Sequence, residues 1–294
     1  MLNPYRPGRI PVVFVHGTAS SPARWAEMVN ELMGDPVIAR RYQFWLFIYN
    51  TGNPVAISAM RLREAIAAAV HDVDPEGKDP ALQRMVVIGH SQGGLLTKMT
   101  VVDSGNRFWE LISSEPFEQA RMSPETRDLM RRAAFVKPGP EVKRVIFIAT
   151  PHRGSFWAGN IVGKIARRLI SLPGTMTRAA VELATLRPLQ AAQTAWKPPT
   201  AIENMDPTNP GLRTLASLPI APGVDAHWII AVQGHGPVET GDDGVVEYTS
   251  AHIDGVESEL VVRSSHSTQS EPATIEEVRR VLYEHAGVTA AAAE

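Results

Sequence analysis

The chain has 294 residues, of which 44% are hydrophobic and 20% charged, and its formal net charge is −2. This composition is typical of a soluble globular protein, and the near-neutral charge gives no electrostatic argument for binding nucleic acid or an anionic membrane. The sequence contains no cysteine, which excludes disulfides, thiolate catalysis and cysteine-ligated metal sites.

No run of about 18 apolar residues is present, so we expect no transmembrane segment. The first residues, MLNPYRPGRIPVV, carry neither an apolar signal core nor a cleavage pattern. We therefore expect no signal peptide in this chain and, unless the N-terminus has been trimmed, a cytoplasmic protein by default.

Six short runs rich in β-branched residues are predicted as strands, at 10–17, 42–50, 83–91, 142–150, 226–234 and 258–265. Apolar residues at helical spacing predict helices between and after them, at 20–33, 56–70, 93–104 and 272–286. In the first of these helices, Ser21 before Pro22 is a good N-cap. The alternation predicts an α/β fold: a mostly parallel sheet of about six strands with helices on both faces.

The absence of repeats and low-complexity linkers favours a single domain over 1–294. Two long segments, 106–141 and 153–225, interrupt the alternation, and segments this long are usually functional. The second contains an amphipathic helix at 156–172 with Trp157 on its apolar face. That helix either packs on the core or lies as a cap or lid over a pocket.

GHSQGG at 89–94 fits the pattern Gly-x-Ser-x-Gly, and it lies between a predicted strand and a predicted helix. A serine on such a strained turn projects its hydroxyl above the sheet edge, beside the free N–H groups of the helix N-terminus. Gly89 and Gly93 allow neighbouring backbone to pass closely. We therefore predict that Ser91 is a nucleophile, the alternative being a chance pentapeptide in a tight loop.

A serine hydroxyl needs a general base, and the base needs an orienting acid; both are expected after later strands. His266 ends the last predicted strand, at the same sheet edge as Ser91, and is the predicted base. Asp243 is favoured as the acid because the apolar VV after Gly244 turns it inward, but Asp242 remains an alternative. Other histidines after Ser91 are weaker candidates because they begin a strand or lie in loops or the last helix: His227, His235, His252 and His285.

Acyl transfer also requires preorganised N–H donors for the oxyanion. The backbone amide of Gln92, directly after the nucleophile, is one candidate, and that of Thr18 in the loop after the first strand is the other. His16 precedes Ser91 at a strand end, so we interpret it as a hydrogen-bonding neighbour of the site. We expect His90 to pack beside the turn.

The segments VFVHGT, GHSQGG, ATPHRGS and GDDGVV, followed by His266, together resemble the α/β-hydrolase fold in its lipase and carboxylesterase branch, as in bacterial lipase-like esterases. The resemblance extends over 10–286 and implies a sheet without the first two strands of the full eight-stranded form. It also implies that His152 and Trp157 are structural or line a pocket. No calcium-site carboxylate cluster is recognisable, so we expect no metal and no cofactor.

The resemblance implies hydrolysis of carboxylic esters through an acyl-enzyme, with a small-molecule or polymeric ester as the partner. The predicted cap, with Trp109 and Trp196 in the inserted segments, favours apolar acyl or polyester substrates. Alternatives are a lipid deacylase, thioesterase or acyltransferase that uses the same triad. A non-catalytic lipid-binding protein on the same scaffold is a further alternative.

Overall fold

The computed structural model describes residues 4–155, 174–186 and 201–288. Its strands are Ile10–Val15 (β1), Tyr42–Phe47 (β2), Met85–His90 (β3), Val142–Ile148 (β4), Asp225–Ala231 (β5) and Ser258–Val262 (β6). They form one sheet in the order β2-β1-β3-β4-β5-β6, and every neighbouring pair is parallel. This arrangement confirms the predicted fold class and places the carboxyl ends of all six strands at one edge.

The helices of the described residues are Ala26–Gly34 (α1), Pro36–Arg41 (α2), Val55–Val73 (α3), Gln92–Lys98 (α4), Arg107–Glu110 (α5), Pro124–Ala134 (α6), Gly174–Thr185 (α7), Ala201–Asn204 (α8), Pro210–Ser217 (α9), Tyr248–Ala251 (α10) and Pro272–His285 (α11). Both faces of the sheet are covered, which explains why its strands are nearly continuous apolar runs. One face packs against α3, α4 and α9, and the other against α1, α2 and α11.

The alternation of side chains along each strand sorts the core into two clusters. Val13, Val87 and Phe147 contribute to the first, under α3 and α4. Phe14 and Ile88 contribute to the second, under α1 and α11. The two clusters fix β3 from both sides, and β3 is the strand that leads into the turn at Ser91.

The segment 106–141 contributes to a third, smaller apolar cluster, which it shares with residues of α3 and α7. Ser123 caps α6 by accepting a hydrogen bond from the Thr126 amide, and Met130 on that helix packs with Phe117. Trp109 is buried in this cluster, and its indole N–H donates to a backbone carbonyl. Trp109 is therefore a core residue of this cluster.

Two predicted helices differ from those in the structure. The helix predicted at 93–104 ends at Lys98, because Val102 instead forms an antiparallel bridge with Ile220. The helix predicted at 20–33 begins with a 3₁₀ turn over Pro22–Trp25, and Ser21 at its N-cap makes no side-chain capping hydrogen bond. The proline fixes the start of that turn without help from the serine hydroxyl.

The predicted insertion 153–225 is described in part. Helices α7, α8 and α9 lie within it, and α9 packs its apolar side on the core beneath α4. The predicted amphipathic helix at 156–172, Trp157 and Trp196 all lie outside the described residues. A lid over the site stays a prediction.

The sheet edge opposite Ser91 is organised by the buried Arg144. Its guanidinium donates to Asp225 at 2.7 Å and to Glu284 at 2.8 Å. It also donates to His227 Nε2 at 2.6 Å and to His285 Nδ1 at 3.2 Å. Burial, and then the charge of the guanidinium, lower the pKa of His227 to about 4. His227 is thus a neutral acceptor in a structural network far from the serine.

Candidate active site

The chain turns sharply at Ser91, between β3 and α4. Ser91 has φ of 54° and ψ of −126°, in the left-handed region that L-residues rarely adopt. Its amide donates to the Ile148 carbonyl of the neighbouring strand at 2.9 Å, which holds the turn against the sheet. Strain of this kind, fixed by surrounding hydrogen bonds, is typical of a residue held for chemistry.

Glycines make this turn sterically possible. A Cβ atom on Gly93 would overlap the Val15 carbonyl at the end of β1, and one on Gly89 would overlap the Gly93 carbonyl. A Cβ on Gly17 would come within 2.9 Å of the Ser91 Cβ. Backbone therefore passes on both sides of the serine at distances that a larger residue would prevent.

Ser91, His266 and Asp243 form one continuous hydrogen-bonded chain. The Ser91 Oγ lies 2.8 Å from His266 Nε2, and the His266 Nδ1 lies 2.7 Å from Asp243 Oδ2. The backbone amide of His266 also donates to the Asp243 carbonyl at 2.9 Å, so the two loops are joined twice. With the carboxylate facing Nδ1, the proton is held on Nδ1, and Nε2 is free to accept the serine proton.

The two adjacent aspartates have different environments. Asp243 is 1% exposed, and its Oδ1 accepts hydrogen bonds from the amides of Val245 at 2.9 Å and Val246 at 2.7 Å. Asp242 is exposed and accepts from the Gly244 amide at the mouth of the turn. The structure therefore brings Asp243, and not Asp242, to the histidine.

Thr18 and Gln92 meet beside the serine. The Thr18 hydroxyl donates to the Gln92 side-chain oxygen at 2.5 Å, and Gln92 is the first residue of α4. Within the ranges that the structure describes, neither backbone N–H donates to a protein acceptor. Both amides are thus free to bind an oxyanion, and the helix N-terminus adds partial positive charge there.

Sequence reasoning missed a third member of this group. Thr51, in the loop after β2, accepts a hydrogen bond from the Ala19 amide at 3.2 Å through its hydroxyl. Its carbonyl accepts from the Gln92 side chain at 3.4 Å. The only available signal was its position at the same sheet edge, directly after a predicted strand.

His90 contacts His266 through both its ring and its Nε2 atom. Its Nε2 lies 2.8 Å from the His266 carbonyl oxygen, and the two rings are 5.0 Å apart. Burial, and then the charge of His266, lower the pKa of His90 to about 3. His90 therefore stays neutral, donates from Nε2 and does not compete for the proton of the serine.

His16 lies at the end of β1, as expected, and stacks on Tyr49 with ring centroids 4.6 Å apart. Its Nδ1 faces the Gly17 carbonyl at 3.1 Å, and burial lowers its pKa. The Tyr49 hydroxyl donates to the His16 carbonyl at 2.7 Å. His16 thus stiffens the loop that carries Thr18.

His152 is 1% exposed and packs against Phe147 and Trp228, at centroid distances of 4.9 and 5.3 Å. Burial, and then the charge of Lys98, hold its pKa well below the usual value. Neither ring nitrogen has a hydrogen-bond partner among the described residues. The described contacts of the His152 ring are therefore packing contacts with aromatic rings.

The described residues include no cluster of three side chains suited to a metal ion. The same ranges hold no helix with the length and apolar character needed to cross a membrane.

The sheet, the turn at Ser91 and the residues around it define an α/β hydrolase, and sequence comparison agrees. The profile of the Alpha/beta hydrolase family matches residues 12–278. This chain therefore belongs to the α/β hydrolase family. A comparison with curated proteins gave no significant sequence match.

Solved structures align with this chain at low sequence identity. The mature form of the lipase BlEst2 from Bacillus licheniformis is 13% identical, with a TM-score of 0.54; the alignment covers 94% of this chain and 93% of that one. Its propeptide form gives the same score over 50% of its own length. A metagenomic carboxyl esterase is 18% identical, with a TM-score of 0.47, over 94% of this chain and 76% of that one.

Proposed function

We propose that the protein is a serine hydrolase that cleaves carboxylic esters through an acyl-enzyme. The observation that carries this proposal is the unbroken hydrogen-bonded chain Ser91–His266–Asp243, at 2.8 and 2.7 Å. The chain order of these three residues and the strained turn are those expected of this chemistry. The fold shared with the Bacillus licheniformis lipase supports the same reaction class.

In the proposed reaction, His266 Nε2 accepts the Ser91 proton as Oγ attacks the ester carbonyl carbon. The charge on the carbonyl oxygen is stabilised by the amides of Thr18 and Gln92. The tetrahedral intermediate then collapses, the C–O bond to the alcohol breaks, and His266 gives the alcohol its proton. Water, deprotonated by His266, then attacks the acyl carbon. The bond from that carbon to Ser91 Oγ breaks, His266 returns the proton to Oγ, and the acid and free Ser91 are released.

The burial of Asp243 and the neutrality of His90 both support the proposed role of His266 as a base. Asp243 is buried, so its carboxylate keeps its orientation and stabilises the imidazolium that forms on His266. His90 stays neutral beside it, so no second positive charge opposes that imidazolium. These features favour general-base catalysis over simple binding of a ligand.

The proposal is tested with p-nitrophenyl esters from acetate to palmitate and with a p-nitrophenyl thioester. Wild type should hydrolyse the butyrate ester, and Ser91→Ala should lose at least about 10³-fold in kcat, because it removes the hydroxyl that lies 2.8 Å from His266 Nε2. Ser104→Ala is the control, since it removes a buried hydroxyl from another part of the chain. Equal turnover by wild type and Ser91→Ala would reject the proposal.

The series of acyl-chain lengths distinguishes an esterase from a lipase or lipid deacylase, and the thioester identifies a thioesterase. Turnover of short esters alone indicates an esterase, and turnover of long esters indicates a lipase or lipid deacylase. Preference for the thioester would indicate a thioesterase that uses the same triad.

A further inference from the structure

The loop after β4 contains a serine that faces the acid-bearing loop. Ser155 is 4% exposed, and its hydroxyl donates to the Val245 carbonyl. The two residues are 90 positions apart in the sequence. Ser155 is outside the triad and the oxyanion group, so the reaction described above leaves its buried hydroxyl without a role.

The position of that hydrogen bond is informative. The Val245 carbonyl belongs to the peptide unit whose N–H is that of Val246, and this N–H donates to Asp243 Oδ1 at 2.7 Å. The peptide unit is planar, and its C=O and N–H point in opposite directions. The Val245–Val246 peptide unit is therefore bonded to the Ser155 hydroxyl through its C=O and to the Asp243 carboxylate through its N–H.

The segment that carries Ser155 is itself well anchored. The Ser155 amide donates to the Met205 carbonyl at 2.9 Å, and the Ser250 hydroxyl donates to the Gly154 carbonyl at 2.5 Å. Gly154 has φ of 100°, and a Cβ there would come within 2.7 Å of the Pro207 nitrogen, so the glycine is required. The hydroxyl of Ser155 is thus presented from a fixed backbone.

Arg153, two positions before Ser155, bonds the far side of the loop that carries Asp243. The Arg153 guanidinium donates to the carbonyls of Thr249 at 2.7 Å and His252 at 2.6 Å, at the end of α10. The Arg153 amide also donates to the Ser250 carbonyl at 3.2 Å. The segment 153–155 therefore contacts the chain both at the turn that holds Asp243 and just beyond it.

We propose that Ser155 is a positioning residue for the triad acid: its hydroxyl fixes the Val245–Val246 peptide plane and thereby the orientation of the Asp243 carboxylate toward His266. This inference rests on the proposed function. Without the hydroxyl, the peptide plane can rotate and the Val246 N–H tilts away from Oδ1. Oδ2 then no longer holds the His266 ring in line with Ser91.

The test compares Ser155→Ala with Ser104→Ala. Ser104 is also a buried serine whose hydroxyl donates to backbone carbonyls, but it bonds the end of α6. Ser104→Ala also leaves the buried Val136 amide, which donates to the Ser104 hydroxyl at 2.9 Å, without that acceptor, so it should lose at least as much stability in urea unfolding as Ser155→Ala. With p-nitrophenyl butyrate, Ser155→Ala should lower kcat about tenfold with KM changed less than about twofold, since misorientation removes part of the 10²–10⁴ that a general base supplies. Ser104→Ala should leave both unchanged.

Two further measurements separate positioning from a structural role. Ser155→Cys retains a side chain of similar size with a weak donor, so its kcat should lie between those of wild type and Ser155→Ala. In an Asp243→Asn background, Ser155→Ala should cause no further loss, because it acts through that carboxylate.

The inference is overturned if Ser155→Ala retains kcat as Ser104→Ala does, or if it lowers kcat by the same factor in the Asp243→Asn background. Failure of the proposed function gives a different pattern, in which Ser91→Ala and Asp243→Asn themselves retain activity.

Discussion

Replacement of Asp243 by asparagine tests the roles of the two adjacent aspartates. Asparagine has nearly the same shape, and its side-chain oxygen can still accept the amides of Val245 and Val246, so the turn should be preserved. Its amide nitrogen would then face His266 Nδ1, at the position where Asp243 Oδ2 lies 2.7 Å away. Two N–H groups cannot point at each other, so Nδ1 must lose its proton.

The consequence is a change of tautomer. The proton moves to His266 Nε2, which lies 2.8 Å from the Ser91 Oγ and can no longer accept the serine proton. The base is lost while the residues stay in place. We expect kcat to fall about 10⁴-fold, which corresponds to about 5 kcal/mol of activation free energy. KM should change little, because no binding contact is removed.

The matched control is Asp242→Asn, one residue away. The Asp242 carboxylate is exposed and accepts the Gly244 amide, which asparagine can also accept, so kcat should stay within about twofold of wild type. The assay is steady-state hydrolysis of p-nitrophenyl butyrate, with urea unfolding to verify that both variants fold. The reasoning is refuted if Asp243→Asn keeps more than about a tenth of wild-type kcat, or if Asp242→Asn is the more damaging change.

Three further predictions concern stability and the loop that carries Thr18. The depressed pKa of His227, about 4 against an ordinary 6.5, means that between these values the unfolded chain binds a proton that the native state does not, so stability falls as pH falls. From about pH 7.5 to about pH 4.5, the free energy of unfolding of wild type, measured in urea, should fall by roughly 2–3 kcal/mol more than that of His227→Gln. The exposed-site control His71→Gln should behave as wild type, and an equal loss in His227→Gln would contradict the assignment. Gly93→Ala should lower the free energy of unfolding by about 3 kcal/mol or more, because its Cβ overlaps a carbonyl of β1. Gly34→Ala, with open space around it, should lower it by less than about 0.5 kcal/mol. Equal urea midpoints for the two variants would be inconsistent with the close approach of β1 to Gly93. Thr18→Val removes the hydroxyl bonded to Gln92 but keeps the backbone amide. Its kcat should fall about tenfold, which is less than the 10²–10³-fold loss expected when an oxyanion donor is removed, and Thr18→Ser should stay near wild type. An unchanged kcat in Thr18→Val would show that this hydrogen bond does not fix the conformation of the loop that carries Thr18.

The strands were accessible to sequence reasoning because a parallel sheet covered on both faces requires apolar runs. IPVVFV of β1 is buried at all six positions, so every residue contributes to the pattern. The end of α4 was not accessible. The chain leaves the helix after Lys98 because Val102 pairs with Ile220, and nothing local in the sequence records a partner 118 positions away.

The same distinction applies to the candidate site. Gly-x-Ser-x-Gly between a strand and a helix is a local pattern, and the burial of Asp243 could be predicted from the apolar residues after it. The contacts that orient the site join distant loops. The bond from Thr18 to Gln92 spans 74 positions, and the bond from Ser155 to Val245 spans 90. Only the folded backbone, which brings the carboxyl ends of the strands to one edge, shows these pairs.

Covalent labelling of the nucleophile tests the central claim most directly. Wild type treated with a serine-reactive p-nitrophenyl phosphonate is digested, and the modified peptide is sequenced by mass spectrometry. We predict one adduct, on Ser91, that forms in proportion to the loss of p-nitrophenyl butyrate turnover and is absent in Ser91→Ala. An adduct on another residue, or full turnover in protein fully labelled at Ser91, would contradict the account.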